Sequence, residues 1–563
     1  MDQQFPVFTL NNECQDCYKC VRHCPVKAIK VFDHRASIVP ELCTSCGQCV
    51  LVCPVQAKKV RNDISRVKSL FQRRRKVFAS LAPSWVAEFS EESQQMISAL
   101  HQLGFAGVSE TALGAQQVSL LTKSLISQET QGLFISSACP VAIDFLRKML
   151  PEMSKAIMQI KSPAMIHAEM LKQFYGSDIG VVLISPCIAK KHEAENSAID
   201  VALTFKELRD WLREENLNLE DQIPSPLDEF VPYKSEEGRL YPIEGGMIET
   251  LRQQGLSQDI RYLSISGIPA LERAFAKFDP TELHERVFVE VLACAGGCIN
   301  GPTVRRDQSG LAGHLRVQKN TVLPKSMAMR NDKMPLDYAM PCLPCEMPPK
   351  SPEYQIKEAL ENIGKFTLKD ELNCSGCGYE SCRHFAQALV DGRAEVSMCV
   401  SYMRKLAQKK ANALLRTMPS GVVIVGADMR IIECNRRLVE FFGEEGLLAY
   451  DARPGLVEVQ LKKVIPFVDL FETAMNTSSD ICRNSMRVGD RLLNIVIFSI
   501  EKNKTIGAVI TDVTNLEHRR EQIQQRAREV IEKNLATVQE IACMLGEHMA
   551  DTEILLRDIA TAQ

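Results

Sequence analysis

The sequence predicts a multidomain chain of α/β and α+β units that carries several metal-binding modules. Three observations lead there. The 563 residues suggest about four domains at roughly 150 residues each. The 21 cysteines fall mostly in tight clusters with metal-ligand spacing. Apolar strand-like runs such as Lys76-Val77-Phe78-Ala79-Ser80-Leu81, Gly132-Leu133-Phe134-Ile135 and Gly180-Val181-Val182-Leu183-Ile184 alternate with helical patterns across residues 77–345.

Composition narrows the function classes. No run of about 18 apolar residues is present, so no membrane span is expected. The N-terminus MDQQFPVFTL lacks the basic start and apolar core of a signal peptide. The cysteines are therefore read as cytoplasmic metal ligands rather than disulfides. A net charge of −3 gives no reason to expect nucleic acid as a partner. The basic run Gln72-Arg73-Arg74-Arg75-Lys76 reads as a solvated linker or helix face rather than a docking patch.

Residues 1–60 hold two runs, Cys14-x2-Cys17-x2-Cys20-x3-Cys24-Pro25 and Cys43-x2-Cys46-x2-Cys49-x3-Cys53-Pro54. This is the spacing of bacterial two-cluster ferredoxins, in which the fourth cysteine of each run ligates the other cluster. A ferredoxin-like module with two 4Fe-4S clusters is expected. Cys14, Cys17, Cys20 and Cys53 would hold one cluster, and Cys43, Cys46, Cys49 and Cys24 the other. Two adjacent clusters make an electron wire.

Cys139, Cys187, Cys294 and Cys298 are far apart in sequence, each in a distinctive loop: Ser136-Ser137-Ala138-Cys139-Pro140, Ser185-Pro186-Cys187-Ile188-Ala189-Lys190-Lys191-His192-Glu193, and Ala293-Cys294-Ala295-Gly296-Gly297-Cys298-Ile299-Asn300-Gly301-Pro302. Their spacing alone fits a cluster or buried structural cysteines. The loops resemble, in the same order, the three signature motifs of iron-only (FeFe) hydrogenases. Leu81-Ala82-Pro83 and Lys161-Ser162-Pro163 support the resemblance, which covers residues 1–345 with the ferredoxin-like module. It implies a hydrogenase-type α/β domain over 77–345 whose four cysteines bind a 4Fe-4S cubane. Cys298 would also bridge to a di-iron centre bearing carbonyl and cyanide. Lys190 and Glu193 match the family's lysine and glutamate; an ammonium beside a metal-bound cyanide suits a point charge. The ordinary alternative for Lys190 and Glu193 is a surface helix pair.

This sequence departs from that pattern. Catalytic members carry a proton-passing cysteine before the first ligand, where this chain has Ala138, and a methyl group cannot relay a proton. The family's tryptophan falls on Ala142 and a methionine on Ser185. The glycine run after the last ligand shortens to Asn300-Gly301-Pro302. The relay serine aligns near Met158 or Gln159, and the relay carboxylates near Thr122 and Leu125. Proton exit, and so turnover, is expected to be slow. The resemblance is therefore to a sensory, hydrogen-sensing type.

Residues 346–360 are Pro-rich and then helical and read as a linker. Over 361–405, Cys374-x2-Cys377-x4-Cys382-x16-Cys399 resembles a small iron–sulfur domain found beside redox and sensory proteins. The resemblance implies one further 4Fe-4S cluster, with zinc as the runner-up. Gly376 and Gly378 are expected to let the backbone wrap close to sulfur. Cys342-x2-Cys345 could supply ligands, form a redox pair or do neither. Cys434, Cys482 and Cys543 lack metal spacing and read as plain core or helix residues.

Residues 415–514 form a smaller α/β unit. Met418-Pro419-Ser420-Gly421-Val422-Val423-Ile424-Val425, Ile431-Ile432-Glu433-Cys434-Asn435, Phe441-Phe442-Gly443 and the exit Asp512-Val513-Thr514 resemble a PAS domain. No histidine occurs between His384 and His518, so a histidine-ligated haem is not expected. No cofactor-binding residue is assigned there. Val496 and Phe498 read as core. Residues 515–563 read as one signalling helix. Leu516, Ile523, Val530 and Met544 share a heptad position that Thr537 weakens, compatible with a dimeric coiled coil or with a helix packed on its own domain. No kinase, cyclase or DNA-binding module is read after it, so output is expected through a separate protein.

Three functions compete. The first is a sensory hydrogenase-like protein that senses hydrogen or redox state, exchanges electrons with ferredoxin or another redox protein, and signals through its PAS domain. The second is a working ferredoxin-linked hydrogenase, which Ala138 opposes. The third is a non-enzymatic iron–sulfur electron-transfer or redox-sensing protein without the di-iron centre.

Overall fold

The computed structural model describes residues 5–561 apart from 75, 90–91, 256–258, 308, 322, 324–337 and 341–350; the side chains of 11, 517, 542–552 and 554–561 are also outside the description. Cys342 and Cys345 thus lie outside the described residues. The chain forms two compact units, divided between Tyr402 and Met403. Among the described residues, no helix is long and apolar enough to cross a membrane.

In the first unit, the N-terminal module is built from two antiparallel pairs. Val7–Thr9 pairs with Lys58–Val60, and Ile29–Phe32 with Arg35–Ile38. Asp33 and His34 join the second pair with φ of 49° and 59°, the left-handed conformation a two-residue hairpin requires. Each cysteine run wraps one short helix, Lys19–His23 or Gln48–Val52. The end of this module is tied to the next domain by buried charges. Lys191, 1% exposed, donates to Asp63 and Glu207, both at 2.8 Å. Arg61 donates to Asp63 at 3.0 Å and to Glu195 at 2.8 Å.

Two parallel sheets follow. One has the order Gly107–Glu110, Val77–Leu81, Gly180–Ser185, Val201–Thr204. The other has the order Ile260–Ser266, Arg286–Leu292, Gly132–Ile135. Val77–Leu81 and Gly180–Ser185 are buried throughout. Strands covered on both faces need continuous apolar runs, which is the pattern the sequence shows. Parallel strands gather their carboxyl ends on one edge, where ligands of such sheets bind. The loops after Leu81, Ile135, Ser185 and Leu292 all leave from such ends.

The segment expected as a linker is more than that. Residues 346–350 lie outside the described residues, but Glu353–Asn362 is a helix whose Ile356, Ala359 and Leu360 are buried. It packs on the helix Cys382–Val390. Ser351 is held there by Gln387, whose Nε2 donates to its hydroxyl at 2.7 Å.

The second unit holds a five-stranded antiparallel sheet in the order Ile431–Cys434, Gly421–Gly426, Thr505–Asp512, Arg491–Glu501, Ile481–Val488. Asn435 caps the helix Arg436–Glu440; its side-chain oxygen accepts from Leu438 N and from Val422 N, 2.8 Å away. The exit is equally tied: the Thr514 hydroxyl donates to Asp512 at 2.6 Å, and Arg491 pairs with Asp512 at 2.7 Å. Reading Val496 and Phe498 as core is corrected here. Leu493, Ile495 and Ile497 are fully buried, whereas Val496 is 40% exposed and Phe498 half-buried. Successive residues of a strand face opposite sides, and the inward set is the odd-numbered one. Thr514–Thr561 is a single helix. Leu516, Ile523 and Val530 on it are exposed; the Met544 side chain lies outside the described residues.

Candidate metal centres

Three loops bring the four separated cysteines together. Cys139 caps the helix Pro140–Met149, whose first residue is the proline suited to that position. Cys187 sits in the turn before the helix Lys190–Glu195. Cys298 opens the 3-10 turn Cys298–Asn300 after Gly296 and Gly297, with φ of 74° and 98°. A Cβ on Gly297 would stand 2.3 Å from the Pro242 carbonyl oxygen, so only glycine lets this loop lie flat there. Cys139, Cys187, Cys294 and Cys298 line one cavity, and Cys46 of the N-terminal module lines it too. Burial, then Cys139, pushes the Cys187 thiol up to about 11. Burial also raises Cys298 and Cys294 strongly, and the neighbouring thiols add to it. Such thiols stay protonated unless a cation takes them as thiolates. The donor set therefore fits an iron–sulfur cluster.

A second cavity of about 110 Å³ is lined by Cys139, Cys187 and Cys298 and by Ser84, Ala138, Ser185, Lys190 and Tyr241 among others. Lys190 Nζ donates to Glu193 at 2.6 Å and to the Ser162 hydroxyl at 2.9 Å. The two side chains are each 12% exposed, which is not a solvated surface pair. The Ser84 and Ser185 hydroxyls are buried without a hydrogen-bond partner. Orphaned hydroxyls are costly, so this wall fits a group bearing hydrogen-bond acceptors. Ala138 presents a methyl group to the same space. Of the other aligned relay positions, Met158 is buried and Gln159 donates to the Ile157 carbonyl. Thr122 is buried with an unpartnered hydroxyl, and Leu125 is exposed. Ala142 is fully buried.

Sequence reasoning missed Glu290. It accepts from Met247 N and from the Ser264 hydroxyl, both at 3.0 Å. Burial pushes its carboxyl up to about 7 despite those donors. The signal was a lone carboxylate inside the apolar run Arg286-Val287-Phe288-Val289-Glu290-Val291-Leu292. Tyr241 was missed as well; its hydroxyl meets Ser119 at 2.6 Å, and Ser119 meets Thr250 at 3.0 Å.

In the N-terminal module, Cys24 is electrostatically close to the cysteines of the second run. Burial pushes Cys43 up to about 11 and Cys46 up to about 12, and Cys24 raises both further. Cys49 is raised by burial and then by Cys46, Cys43 and Cys24. Cys20 is raised by burial, with Cys14 and Cys17 adding to it. Cys17 is exposed, Cys14 half-buried, and Cys53 caps the helix Gln48–Val52. Backbone N–H groups of Ala28 and Ser45 donate to the sulfurs of Cys24 and Cys43 at 3.2 and 3.3 Å. Lys58, 3% exposed, opposes the rise at both Cys20 and Cys49. Nothing in the cysteine spacing pointed to it.

Cys374, Cys377, Cys382 and Cys399 line one small cavity with Tyr379 and Phe385. Cys382 opens the helix Cys382–Val390, and Cys399 directly precedes the helix Val400–Thr417. Gly376 does lie near sulfur, with its ideal Cβ position 3.8 Å from Cys374 Sγ. Gly378, with φ of 94°, also makes a close approach to another part of the chain: a Cβ there would meet Val21 and Arg22. Among the described residues, no group of three or more His, Cys, Asp or Glu side chains is drawn tightly enough to hold a single metal ion. Of the remaining cysteines, Cys434 is core, donating to the Gly455 carbonyl at 3.3 Å. Cys482 is exposed on its strand rather than core, and the Cys543 side chain lies outside the described residues.

Residues 75–302 match the iron only hydrogenase large subunit, C-terminal domain. Residues 7–66 match a 4Fe-4S dicluster domain, 370–401 an Fe-S cluster family and 410–479 a PAS domain. Iron hydrogenase 1 of Clostridium pasteurianum is 25% identical over 299 residues, 43% of this chain and 52% of that protein. The NADP-reducing hydrogenase subunit HndD of Solidesulfovibrio fructosivorans is 24% identical over 353 residues, 53% of this chain and 57% of its own length. The chain thus spans about half the length of these two relatives. The cytosolic Fe-S cluster assembly factor narfl of Danio rerio is 25% identical over 282 residues, covering 40% of this chain and 68% of that protein. The FeFe-hydrogenase HydA1 of Chlamydomonas reinhardtii, in a variant structure, overlays 45% of this chain and 87% of its own, with 19% identity and a TM-score of 0.35. Residues 75–302 are a domain of the iron-only hydrogenase family, carried on one chain with a 4Fe-4S dicluster module, a further Fe-S cluster domain and a PAS domain.

Proposed function

We propose that this chain is a cytoplasmic sensory protein. Its hydrogenase-like site responds to hydrogen, or to the redox state hydrogen sets, and turns over slowly. The observation that carries this reading is Ala138, whose methyl group faces the cavity shared by Cys298 and Lys190. Cys139, Cys187, Cys294 and Cys298 are assigned to a 4Fe-4S cluster, with Cys298 also toward a di-iron carbonyl and cyanide centre. When bound, that centre supplies the chemistry of splitting hydrogen into protons and electrons. Lys190, fixed by Glu193 and Ser162, would supply a cation beside its anionic ligands, and Ser84 and Ser185 would offer hydroxyl donors. Proton departure needs a titratable group at the wall, and Ala138 offers none. A site that is reduced readily but drained slowly suits sensing better than flux.

The dicluster module, with Cys14, Cys17, Cys20 and Cys53 on one cluster and Cys24, Cys43, Cys46 and Cys49 on the other, would exchange electrons with ferredoxin or another redox protein. Cys374, Cys377, Cys382 and Cys399 would hold a third 4Fe-4S cluster. The PAS domain and the helix Thr514–Thr561, on which Leu516, Ile523 and Val530 are exposed, would pass the change to a separate output protein, with the helix pairing in a homodimer. Amide hydrogen exchange under hydrogen and under argon tests the signalling step. Hydrogen is expected to change protection within 403–563. Identical exchange there under both gases, in protein whose clusters hydrogen reduces, would remove the signalling role.

A further inference from the structure

We propose that the 374–399 cysteine loop is docked as the outermost station of one continuous electron chain, with Gly378 and Tyr379 forming the passage into the dicluster module. The inference rests on the reading of these cysteine sets as cluster ligands. It adds their connection and the residues that make it.

Gly378 follows Cys377 directly and packs onto the backbone between Cys20 and Cys24. A Cβ at Gly378 would stand 3.0 Å from Val21 Cγ1 and 3.2 Å from Arg22 N. Cys20 and Cys24 are assigned to different clusters of the dicluster module, so this single contact reaches both ligand sets. Electron transfer falls steeply with distance, and backbone touching backbone between ligand loops is a short path.

The contact is fastened on both sides. Lys27 Nζ donates to the Gly378 carbonyl at 2.9 Å, and Arg393 Nη1 donates to the Lys27 carbonyl at 3.2 Å. Val31 N donates to the Arg393 carbonyl at 2.9 Å, so the small domain continues the edge of the strand Ile29–Phe32. Asp33 N donates to Glu395 at 2.6 Å. One apolar cluster runs through the junction, from Val21 and Cys24 to Tyr379 and Phe385.

Tyr379 sits inside this junction, 2% exposed, with its ring 5.7 Å from that of Phe385. Its hydroxyl is buried and has no hydrogen-bond partner. Tyr379 also lines the cavity of Cys374, Cys377, Cys382 and Cys399, and it shares one apolar cluster with Cys24. A buried hydroxyl with no protein acceptor, on a residue lining the four-cysteine cavity, is placed to donate to cluster sulfur. Such a bond favours the more negative, reduced cluster and raises its potential. Tyr379 is thus a positioning and tuning residue, outside the ligand sets.

Electron paramagnetic resonance of the reduced full-length protein, with iron analysis, tests this. The third cluster's signal is expected to show spin–spin interaction with the dicluster module. Tyr379→Phe, which keeps the packing on Phe385, is expected to shift one cluster's midpoint potential downward at unchanged iron content. Gly378→Val, which adds side-chain bulk at the contact, is expected to weaken the interaction. A third cluster that reads as an isolated spin would overturn the docking. Unchanged potentials in Tyr379→Phe would overturn the role of the hydroxyl. The double variant Cys377→Ala, Cys382→Ala separates the two levels: if it loses no iron, the ligand assignment itself fails.

Discussion

Gly47 lies against Pro302 so closely that a Cβ on the glycine would stand 2.6 Å from the proline's own. Gly47 follows Cys46, and Pro302 closes the loop that carries Cys298. The same Cβ would stand 2.7 Å from Ile188 Cδ1, next to Cys187. The dicluster module and the four-cysteine site therefore meet at their ligand loops. Gly47→Ala adds a clash and strains a φ of 78°. The expected loss is about 2–3 kcal/mol of stability, read by thermal unfolding, with slower reduction of the four-cysteine site.

Lys191 holds two buried carboxylates, Asp63 and Glu207, from different parts of the chain. Lys191→Met removes the cation and leaves both acids in a dry site. A loss of about 3–5 kcal/mol is expected, seen as a lower unfolding midpoint in denaturant. Lys190→Met, one residue away, should cost far less stability and act on the site instead.

Glu290 makes stability depend on pH in a defined direction. Its folded pKa of about 7 lies above the ordinary value of 4.5. A raised carboxyl contributes stability fully below the unfolded value, and that contribution is lost as pH rises through the folded one. Glu290→Gln should therefore gain relative to the native protein between pH 4.5 and 7.5, by up to roughly 3 kcal/mol. Denaturant unfolding at both ends of that window checks it; equal differences at both would contradict the burial argument.

Ala138→Cys restores a titratable group at the cavity wall. Hydrogen turnover is expected to rise in the matured protein. No increase would mean that the other missing relay positions, around Thr122, Leu125 and Met158, set the limit.

What the sequence made legible follows from how local each signal is. The N-terminal ligands could be read from spacing because each run wraps one short helix. The separated cysteines could not, because Cys139, Cys187 and Cys294, 48 and 107 residues apart in sequence, are brought together by the carboxyl ends of parallel strands in two sheets; only the loop motifs linked them. Glu290 was visible as a break in an apolar run, but its donors, Met247 and Ser264, come from elsewhere. The contact of Gly378 with Arg22 could not be read, because the two are far apart in sequence. Val496 and Phe498 were assigned to the wrong face because a strand with apolar residues on both sides does not declare its register.

Infrared spectroscopy of protein produced with maturation factors, under argon and then under hydrogen, is the most direct test of the hydrogen-sensing reading. Carbonyl and cyanide bands are expected, shifting under hydrogen while measured turnover stays slow. A matured protein with no such bands, or with bands that hydrogen leaves unmoved, would contradict it.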